Sequence, residues 1–308
     1  MSLKTEKQFF LLEAIFTLFG ILSNLVALLV LIHSKRMKRI GTRNIYIFLF
    51  TSDSFLLFLM FLDNCALNII EFDAVIQSIL SCKLIPFVTR LLATVSPMLL
   101  VYISAERYIS LNVHMRVILR KQRSQCWYLF LIVVYNALFY SPCLLHFDYQ
   151  INQNETNEIF ECIIKANLNT IQSMDFLNRS VLPSMLMMIA TLLLIKSIRN
   201  SRQRTRSYLI DKQQIRFHKR RDIQLAISSV VLNLVYVFFT LPLPVSLLFG
   251  DKTNSDFIIL IAYNMFCLSY GLNFYIIFIS NSLFRKELAT VLTTFSLKIS
   301  SKNNVVNV

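Results

Sequence analysis

Seven long apolar runs limit what this chain can fold into. They cover roughly residues 9–33, 44–70, 80–112, 125–146, 172–198, 223–249 and 257–280. Each run has the length of ~20 residues that an α-helix needs to cross a bilayer. Since hydrocarbon offers no partners for free backbone groups, runs of this kind cross as helices. The sequence therefore predicts an all-α membrane protein, a seven-transmembrane helix bundle.

Composition agrees with this class and argues against a nucleic-acid partner. Of the 308 residues, 56% are hydrophobic and 16% are charged, against ~25% charged residues in soluble domains. The formal net charge of +14 arises mostly from alternate connecting segments. We therefore expect these basic residues to face membrane lipid and a protein partner.

The charge of the connecting segments predicts the orientation of the chain. A basic cluster follows the first run (Lys35, Arg36, Lys38, Arg39 and Arg43), and further basic clusters follow the third and fifth runs. Because basic loops remain in the cytoplasm, the N-terminus is predicted to be extracellular. The first run is too long for a signal peptide and precedes a basic cluster. We expect a multi-pass protein of the plasma membrane.

Four divisions of the chain follow from this topology. Residues 1–8 are predicted to form a short extracellular N-terminus, and residues 9–280 the transmembrane domain. Residues 281–292 alternate apolar and charged side chains at helical spacing, which predicts an amphipathic helix on the inner membrane surface. Residues 293–308 are polar and are predicted to form a disordered cytoplasmic tail.

Charged residues within or beside the apolar runs are candidates for function. Glu106-Arg107-Tyr108 ends the third run, and Asp53 lies near the middle of the second. Such charges are costly to bury unless they are paired, hydrated or functional. The six cysteines show neither a disulfide scaffold nor a metal-binding spacing. Cys82 and Cys162 fall in segments predicted to lie outside the cell.

Glu106-Arg107-Tyr108 at the inner end of a third span resembles the Asp/Glu-Arg-Tyr mark of the rhodopsin-like (class A) family of G-protein-coupled receptors. The resemblance covers nearly the whole chain. Further residues stand at positions that the family marks: Asn24, Asp53, Cys82, Pro183, Pro242 and Asn273.

The resemblance implies a switch and a partner for it. It implies an ionic lock between Arg107 and Asp222, with Glu106 as second partner and Tyr108 beside it. Release of the lock, by outward movement of the sixth helix about a kink at Pro242, would activate a heterotrimeric G protein, with arrestin as a further partner. Pro183 is the matching kink of the fifth helix.

The resemblance also implies a disulfide and a polar core. Cys82 and Cys162 would join the second outer loop to the third helix. A sodium ion would lie at Asp53, with Ser96, Asn273 and Asn24 in the same polar core. A buried, protonated Asp53 without an ion is the alternative. No other metal or cofactor is expected.

Some positions depart from the family pattern. The family tryptophan before Pro242 is Thr240, the proline after Asn273 is Phe274, and two tyrosines are Thr191 and Ile277. The Asn-Phe pair and the following basic helix are similar to those of invertebrate FMRFamide-like peptide receptors. An atypical seven-helix receptor that does not couple remains an alternative.

Single residues disfavour an amine ligand and exclude bound retinal. Thr89 stands where amine receptors carry an acid, and the seventh run has no lysine that could hold retinal. Asp63, Thr89 and Arg90 are predicted to line the ligand pocket. The acidic outer loop favours a short basic peptide, a neuropeptide, while another small ligand remains open. Asn154-Glu155-Thr156 is a glycosylation sequon.

The sequence disfavours two other function classes, an enzyme and a secondary transporter. The chain has no His-Glu-x-x-His or Gly-x-Ser-x-Gly motif and no facing carboxylate pair, so we do not expect an enzyme. A secondary transporter would show inverted repeats and glycine-rich broken helices. Four glycines and an odd number of spans disfavour that alternative.

Overall fold

Eleven α-helices, one 3-10 turn (Met37–Arg39), one π-helical turn (Phe176–Val181) and one β-hairpin make up the regular structure of the described residues. The computed structural model describes residues 3–34, 36–39, 42–62, 78–111, 122–154, 157–164, 173–207, 213–249 and 255–306. The α-helices are Leu3–His33, Arg43–Met60, Ile79–Leu111, Gln122–Tyr140, Cys143–His146, Leu182–Ser207, Gln213–Thr240, Pro242–Phe249, Ser255–Gly271, Asn273–Ser280 and Ser282–Val306.

These helices contain the seven predicted crossings, which we call the first to seventh spans. Six are single stretches that are long and apolar enough to cross a membrane: Phe10–His33, Arg43–Met60, Ile79–Leu111, Gln125–Leu145, Ser173–Ser201 and Ile223–Ser246. The seventh consists of Phe257–Gly271 and Asn273–Ser280, bent by 50°. The prediction of a seven-helix bundle is therefore confirmed.

The outside of the bundle is apolar, as lipid requires. On the first span Leu11, Ile15, Phe19 and Leu22 are all more than half exposed and follow one another at helical spacing. A stripe of this length would favour association in water, but in a bilayer it contacts hydrocarbon. The interior instead holds polar side chains together with a large apolar core that includes Phe50.

The first and seventh spans approach most closely at two glycines. A Cβ atom at Gly271 would lie 3.0 Å from the Cα atom of Gly20, so only glycine fits this contact without displacement. Ser23 Oγ donates a hydrogen bond to the Gly271 carbonyl (3.3 Å), and Asn24 Nδ2 donates to the Tyr270 carbonyl (3.3 Å). These carbonyls lie beside the bend at Leu272. The first span thus stabilises a bend that has no proline.

A hairpin occupies the segment between the fourth and fifth spans. Strand β1 (Phe147–Asn154) pairs antiparallel with strand β2 (Asn157–Ile164). Tyr149 is paired with Cys162 in this register, and Cys162 is bonded to Cys82 at the start of the third span. The sequence analysis had treated this segment as a loop, so the hairpin is a feature that it did not predict.

The final helix is longer than predicted. It runs over Ser282–Val306, through most of the residues 293–308 that the sequence predicts to be a disordered tail. Asn281 Oδ1 begins it by accepting hydrogen bonds from the backbone N–H groups of Leu283 (3.0 Å) and Phe284 (3.2 Å), as an N-cap does. Glu287 then accepts a hydrogen bond from Ser34 at 2.6 Å. The helix is thereby anchored just beyond the first span.

The first helix also differs from the prediction at its start. It begins at Leu3, within the eight residues predicted to form a short N-terminal segment.

The two ends of the bundle differ in the groups that they carry. We call the end at which the third span closes with Arg107 the Arg107 end. We call the opposite end, which carries Cys82 and the hairpin, the disulfide end.

Candidate functional site

Arg107 is buried at its end of the bundle. Only 4% of its surface is exposed, although a guanidinium is always charged. Its Nη2 donates a hydrogen bond to Thr42 Oγ1, just before the second span, and the Tyr46 hydroxyl faces the same group. The second span therefore holds Arg107 in place.

Of the residues predicted to act with Arg107, the structure describes the side chains of Glu106 and Tyr108. The side chain of Asp222 lies outside the described residues, so the ionic lock remains a prediction. Glu106 precedes Arg107 on the third span, with Oε2 buried. Tyr108 packs into an apolar cluster with Ile198 of the fifth span and Ile227 of the sixth. At this end the third, fifth and sixth spans are in direct contact.

One buried amide links those same three spans. Asn233 of the sixth span donates from Nδ2 to Ser104 Oγ of the third span (2.9 Å) and to Thr191 Oγ1 of the fifth (3.0 Å). Asn233 is 1% exposed. We call these three residues the Asn233 node. Sequence reasoning missed Asn233 and Ser104, although a lone amide within an apolar run was a usable signal.

The predicted polar core comes together around Asp53. Asn273 Nδ2 donates to Asp53 Oδ2 at 2.7 Å, and the Ser96 hydroxyl faces the same carboxylate. Asn24 of the first span donates a hydrogen bond to the Tyr270 carbonyl of the seventh span, one helical turn before Asn273. Asp53 is fully buried, and neither its Oδ1 nor Ser96 Oγ has a hydrogen-bond partner in the described part of the chain.

The two predicted kinks differ in form. Pro242 begins the helix Pro242–Phe249 directly after a break at Leu241 that divides the sixth span. Pro183 lies within Leu182–Ser207, directly after the π-helical turn Phe176–Val181. Proline lacks an N–H group and disturbs the preceding turn, which accounts for the irregular backbone on its N-terminal side in both spans.

The predicted ligand residues lie at the disulfide end. Arg90 Nε donates to Asp175 Oδ2 at 3.1 Å, in a salt bridge between the third and fifth spans. The Thr89 hydroxyl is buried, with no hydrogen-bond partner among the residues that the structure describes. Asp63 lies outside the described residues. Asn154 is the last residue of β1, and its side chain also lies outside them.

Arg179 is a functional candidate that sequence reasoning missed. Its guanidinium carbon lies 3.8 Å from the centroid of the Phe266 ring. Phe266 packs edge to face on Tyr270, with ring centroids 5.0 Å apart. A charged residue within the apolar run 172–198 was the available signal, because such residues face a bundle interior.

A cleft opens at the Arg107 end. It lies between the first, second, sixth and seventh spans and the last helix, and its lining includes Tyr46, Leu225, Ser228 and Asn281. Tyr46 also faces Arg107, so the cleft adjoins the buried guanidinium. Among the described ranges no group of three or more His, Cys, Asp or Glu side chains could hold a metal ion.

Seven crossings around a polar interior, with a sixth span held to its neighbours by side-chain hydrogen bonds, are the architecture of a seven-helix membrane receptor. The family model for the 7 transmembrane receptor (rhodopsin family) matches residues 23–273. The chain belongs to this family of signalling receptors. A comparison with curated proteins finds no significant match.

Proposed function

We propose that this protein is a plasma-membrane receptor that binds an extracellular peptide at the disulfide end and activates a heterotrimeric G protein at the Arg107 end. Its N-terminus would face outward, and arrestin would bind at the same end as the G protein. The Asn233 node is the observation that carries the proposal. It ties the sixth span to the third and fifth beside the buried Arg107.

A two-state balance accounts for signalling in such a bundle. In the described state Arg107 is buried and bonded to Thr42, so it offers little surface to a partner. A ligand shifts the balance only by binding one state better than the other. A ligand that favours a displaced sixth span would therefore expose Arg107 and enlarge the adjoining cleft.

The sixth span has the parts that such a displacement needs. Its break at Leu241, before Pro242, lies between the disulfide end and the Asn233 node. The node contributes two hydrogen bonds, each with a net value of about 1 kcal/mol. A modest difference in ligand affinity between the two states is thus sufficient to move the span.

The disulfide end supports a peptide ligand. The β-hairpin is fixed to the third span by Cys82–Cys162, with Cα atoms 5.7 Å apart. Its sequence carries the acids Asp148, Glu158 and Glu161, which favour a basic peptide by charge complementarity. This reasoning supports a neuropeptide.

A sodium ion is the second proposed ligand. Asp53 Oδ1 and Ser96 Oγ are buried oxygens without hydrogen-bond partners in the described chain, and hard cations prefer oxygen ligands. These residues fit the ion, and Asn273 would orient the carboxylate through Oδ2. The ion would supply the positive charge that compensates the buried carboxylate of this state.

The coupling proposal is tested by loading of GTPγS on membranes that contain the receptor and a promiscuous G protein. A library of short peptides is the stimulus. We expect at least one peptide to raise loading with the wild-type receptor and not with Arg107→Ala at equal surface expression. Silence with the whole library, or an equal response in Arg107→Ala, would contradict the proposal.

A further inference from the structure

Arg179 is a cation inside the bundle without a bonded acid. It lies in the π-helical turn Phe176–Val181 of the fifth span, and π-helical turns are frequent at functional sites. Its guanidinium lies over the Phe266 ring of the seventh span at 3.8 Å. Among the described residues it forms no hydrogen bond and no salt bridge.

The acid near Arg179 is bonded to another arginine. This acid is Asp175, whose Oδ2 accepts a hydrogen bond from Arg90 Nε at 3.1 Å. Arg179 therefore carries its positive charge without a bonded carboxylate among the described residues. Arginine stays ionised in proteins, so this charge cannot be removed by loss of a proton. Charges in membrane interiors mark binding sites when they lack a structural partner.

We infer that Arg179 binds a carboxylate of the receptor's ligand. The inference rests on the proposed function and specifies the ligand more closely. A guanidinium presents a planar pair of N–H groups that fits both oxygens of a carboxylate. Phe266 lies 3.8 Å from the guanidinium carbon, and the guanidinium N–H groups form no hydrogen bond within the described part of the chain.

The position of this cation also specifies how a peptide would bind. Acidic residues lie in the hairpin sequence, while Arg179 and Arg90 place positive charge within the bundle at the same end. The buried Thr89 hydroxyl, next to Arg90, offers a further donor without a partner among the described residues. A peptide with basic residues and a free C-terminal carboxylate matches this arrangement when its C-terminus enters first.

Arg179 is also connected to the sixth span. Phe266 packs on Tyr270, and the Tyr270 hydroxyl donates to the Ala93 carbonyl at 2.9 Å. The hydroxyls of Tyr270 and Tyr236 are 3.2 Å apart, and Tyr236 lies one turn before Thr240 and the break at Leu241. A carboxylate that draws Arg179 away from Phe266 would therefore disturb the aromatic contacts beside the hinge of the sixth span.

Thermal unfolding of the purified full-length receptor in lipid nanodiscs tests the site. The probes are N-acetyl-L-phenylalanine, a free acid, and N-acetyl-L-phenylalaninamide, its uncharged match. We expect the acid, in tenfold excess over its Kd, to raise the unfolding temperature by about 3 °C. The amide should have no effect, and Arg179→Gln should abolish the effect of the acid.

Arg199→Gln is the matched control, because Arg199 lies exposed on the same helix at its other end. It should retain the effect of the acid. An equal shift by the amide, or a shift that persists in Arg179→Gln, would overturn the site. Arg179→Lys keeps the charge without the planar fork and should bind the acid more weakly, which provides a second variant if Arg179→Gln does not fold.

Two further measurements distinguish a binding role of Arg179 from a structural one, and failure of the anion site from failure of the coupling proposal. Arg179→Gln without probe should unfold close to wild type, since loss of the contact with Phe266 is offset by removal of a charge without a bonded acid; markedly earlier unfolding would indicate a structural role and count against the site. Because the probe assay contains no G protein, its failure alongside peptide-stimulated GTPγS loading rejects the anion site alone. An acid-specific shift without any loading supports the site and rejects coupling.

Discussion

Asn233 of the sixth span donates a 2.9 Å hydrogen bond to Ser104 of the third span, one turn before Arg107. The same amide bonds Thr191 of the fifth span at 3.0 Å. Thr191 stands where the family pattern has a tyrosine, so this position is occupied by a residue that holds the spans together. Separation of the sixth span from both the third and the fifth requires loss of both bonds.

Replacement of Asn233 by leucine is expected to raise signalling without a ligand. The variant removes both bonds, while the hydroxyls of Ser104 and Thr191 can turn to carbonyls of their own helices. With about 1 kcal/mol lost per bond, or about 2 kcal/mol in all, the displaced state should gain about thirtyfold relative to the described state. Ligand-free GTPγS loading at equal surface expression measures the change.

Asn264→Leu is the control for this prediction. Asn264 Nδ2 donates to the Leu260 carbonyl of its own helix, at 2.9 Å, and to no other span among the described residues, so its loss should leave ligand-free loading near the wild-type level. Unchanged or lower loading in Asn233→Leu would show that the node does not restrain the sixth span.

Removal of the Asp222 charge should have an effect in the same direction. Asp222 precedes the described side chains of the sixth span, next to Lys219, Arg220 and Arg221. If it pairs with Arg107, Asp222→Asn removes an attraction between the third and sixth spans, and ligand-free GTPγS loading should rise. Asp256→Asn, an acid near the disulfide end, serves as the control. Loading at the wild-type level with every G-protein class would argue against the lock.

The pattern of apolar residues predicted the bundle because length and hydrophobicity are local properties. The Asp53–Asn273 pair was also predicted, since a buried carboxylate requires a polar partner and the resemblance indicated which one. The structure joins Cys82 to Cys162 as that resemblance implied. In each case a residue type alone restricts what can surround it.

Other features depend on contacts that no local pattern contains. Asn233 meets residues 129 and 42 positions away in the chain, and nothing in a helical repeat specifies that meeting. The bend at Leu272 was unexpected because Phe274 replaces the usual proline. It is explained by Ser23 and Asn24, which satisfy carbonyls of another span. The place of Arg179 likewise depends on a π-helical turn that shifts the register of its helix.

Because the first and seventh spans meet at two glycines, a larger side chain at Gly271 should lower the stability of the folded bundle. Gly271→Val would place a Cβ atom 3.0 Å from Gly20 Cα, where backbone atoms cannot move aside freely. Overpacking of this kind costs about 1–3 kcal/mol, and the unfolding temperature in detergent should fall by several degrees. Leu22→Val, at an exposed position on the first span, should change it little. Equal stability of Gly271→Val and wild type would contradict this close packing.

Sodium should stabilise the receptor through Asp53. An ion that binds only the folded state raises the unfolding temperature with its concentration, so unfolding in sodium chloride should occur at a higher temperature than in N-methylglucamine chloride. Asp53→Asn should remove the difference, because the amide brings no negative charge to the fully buried site. Ser52→Ala is the neighbouring control, since the Ser52 hydroxyl bonds only the Leu49 carbonyl of its own helix, at 2.9 Å, and it should keep the difference. If wild type unfolds at the same temperature in both salts, Asp53 is stabilised without an ion, as a protonated acid bonded to Asn273.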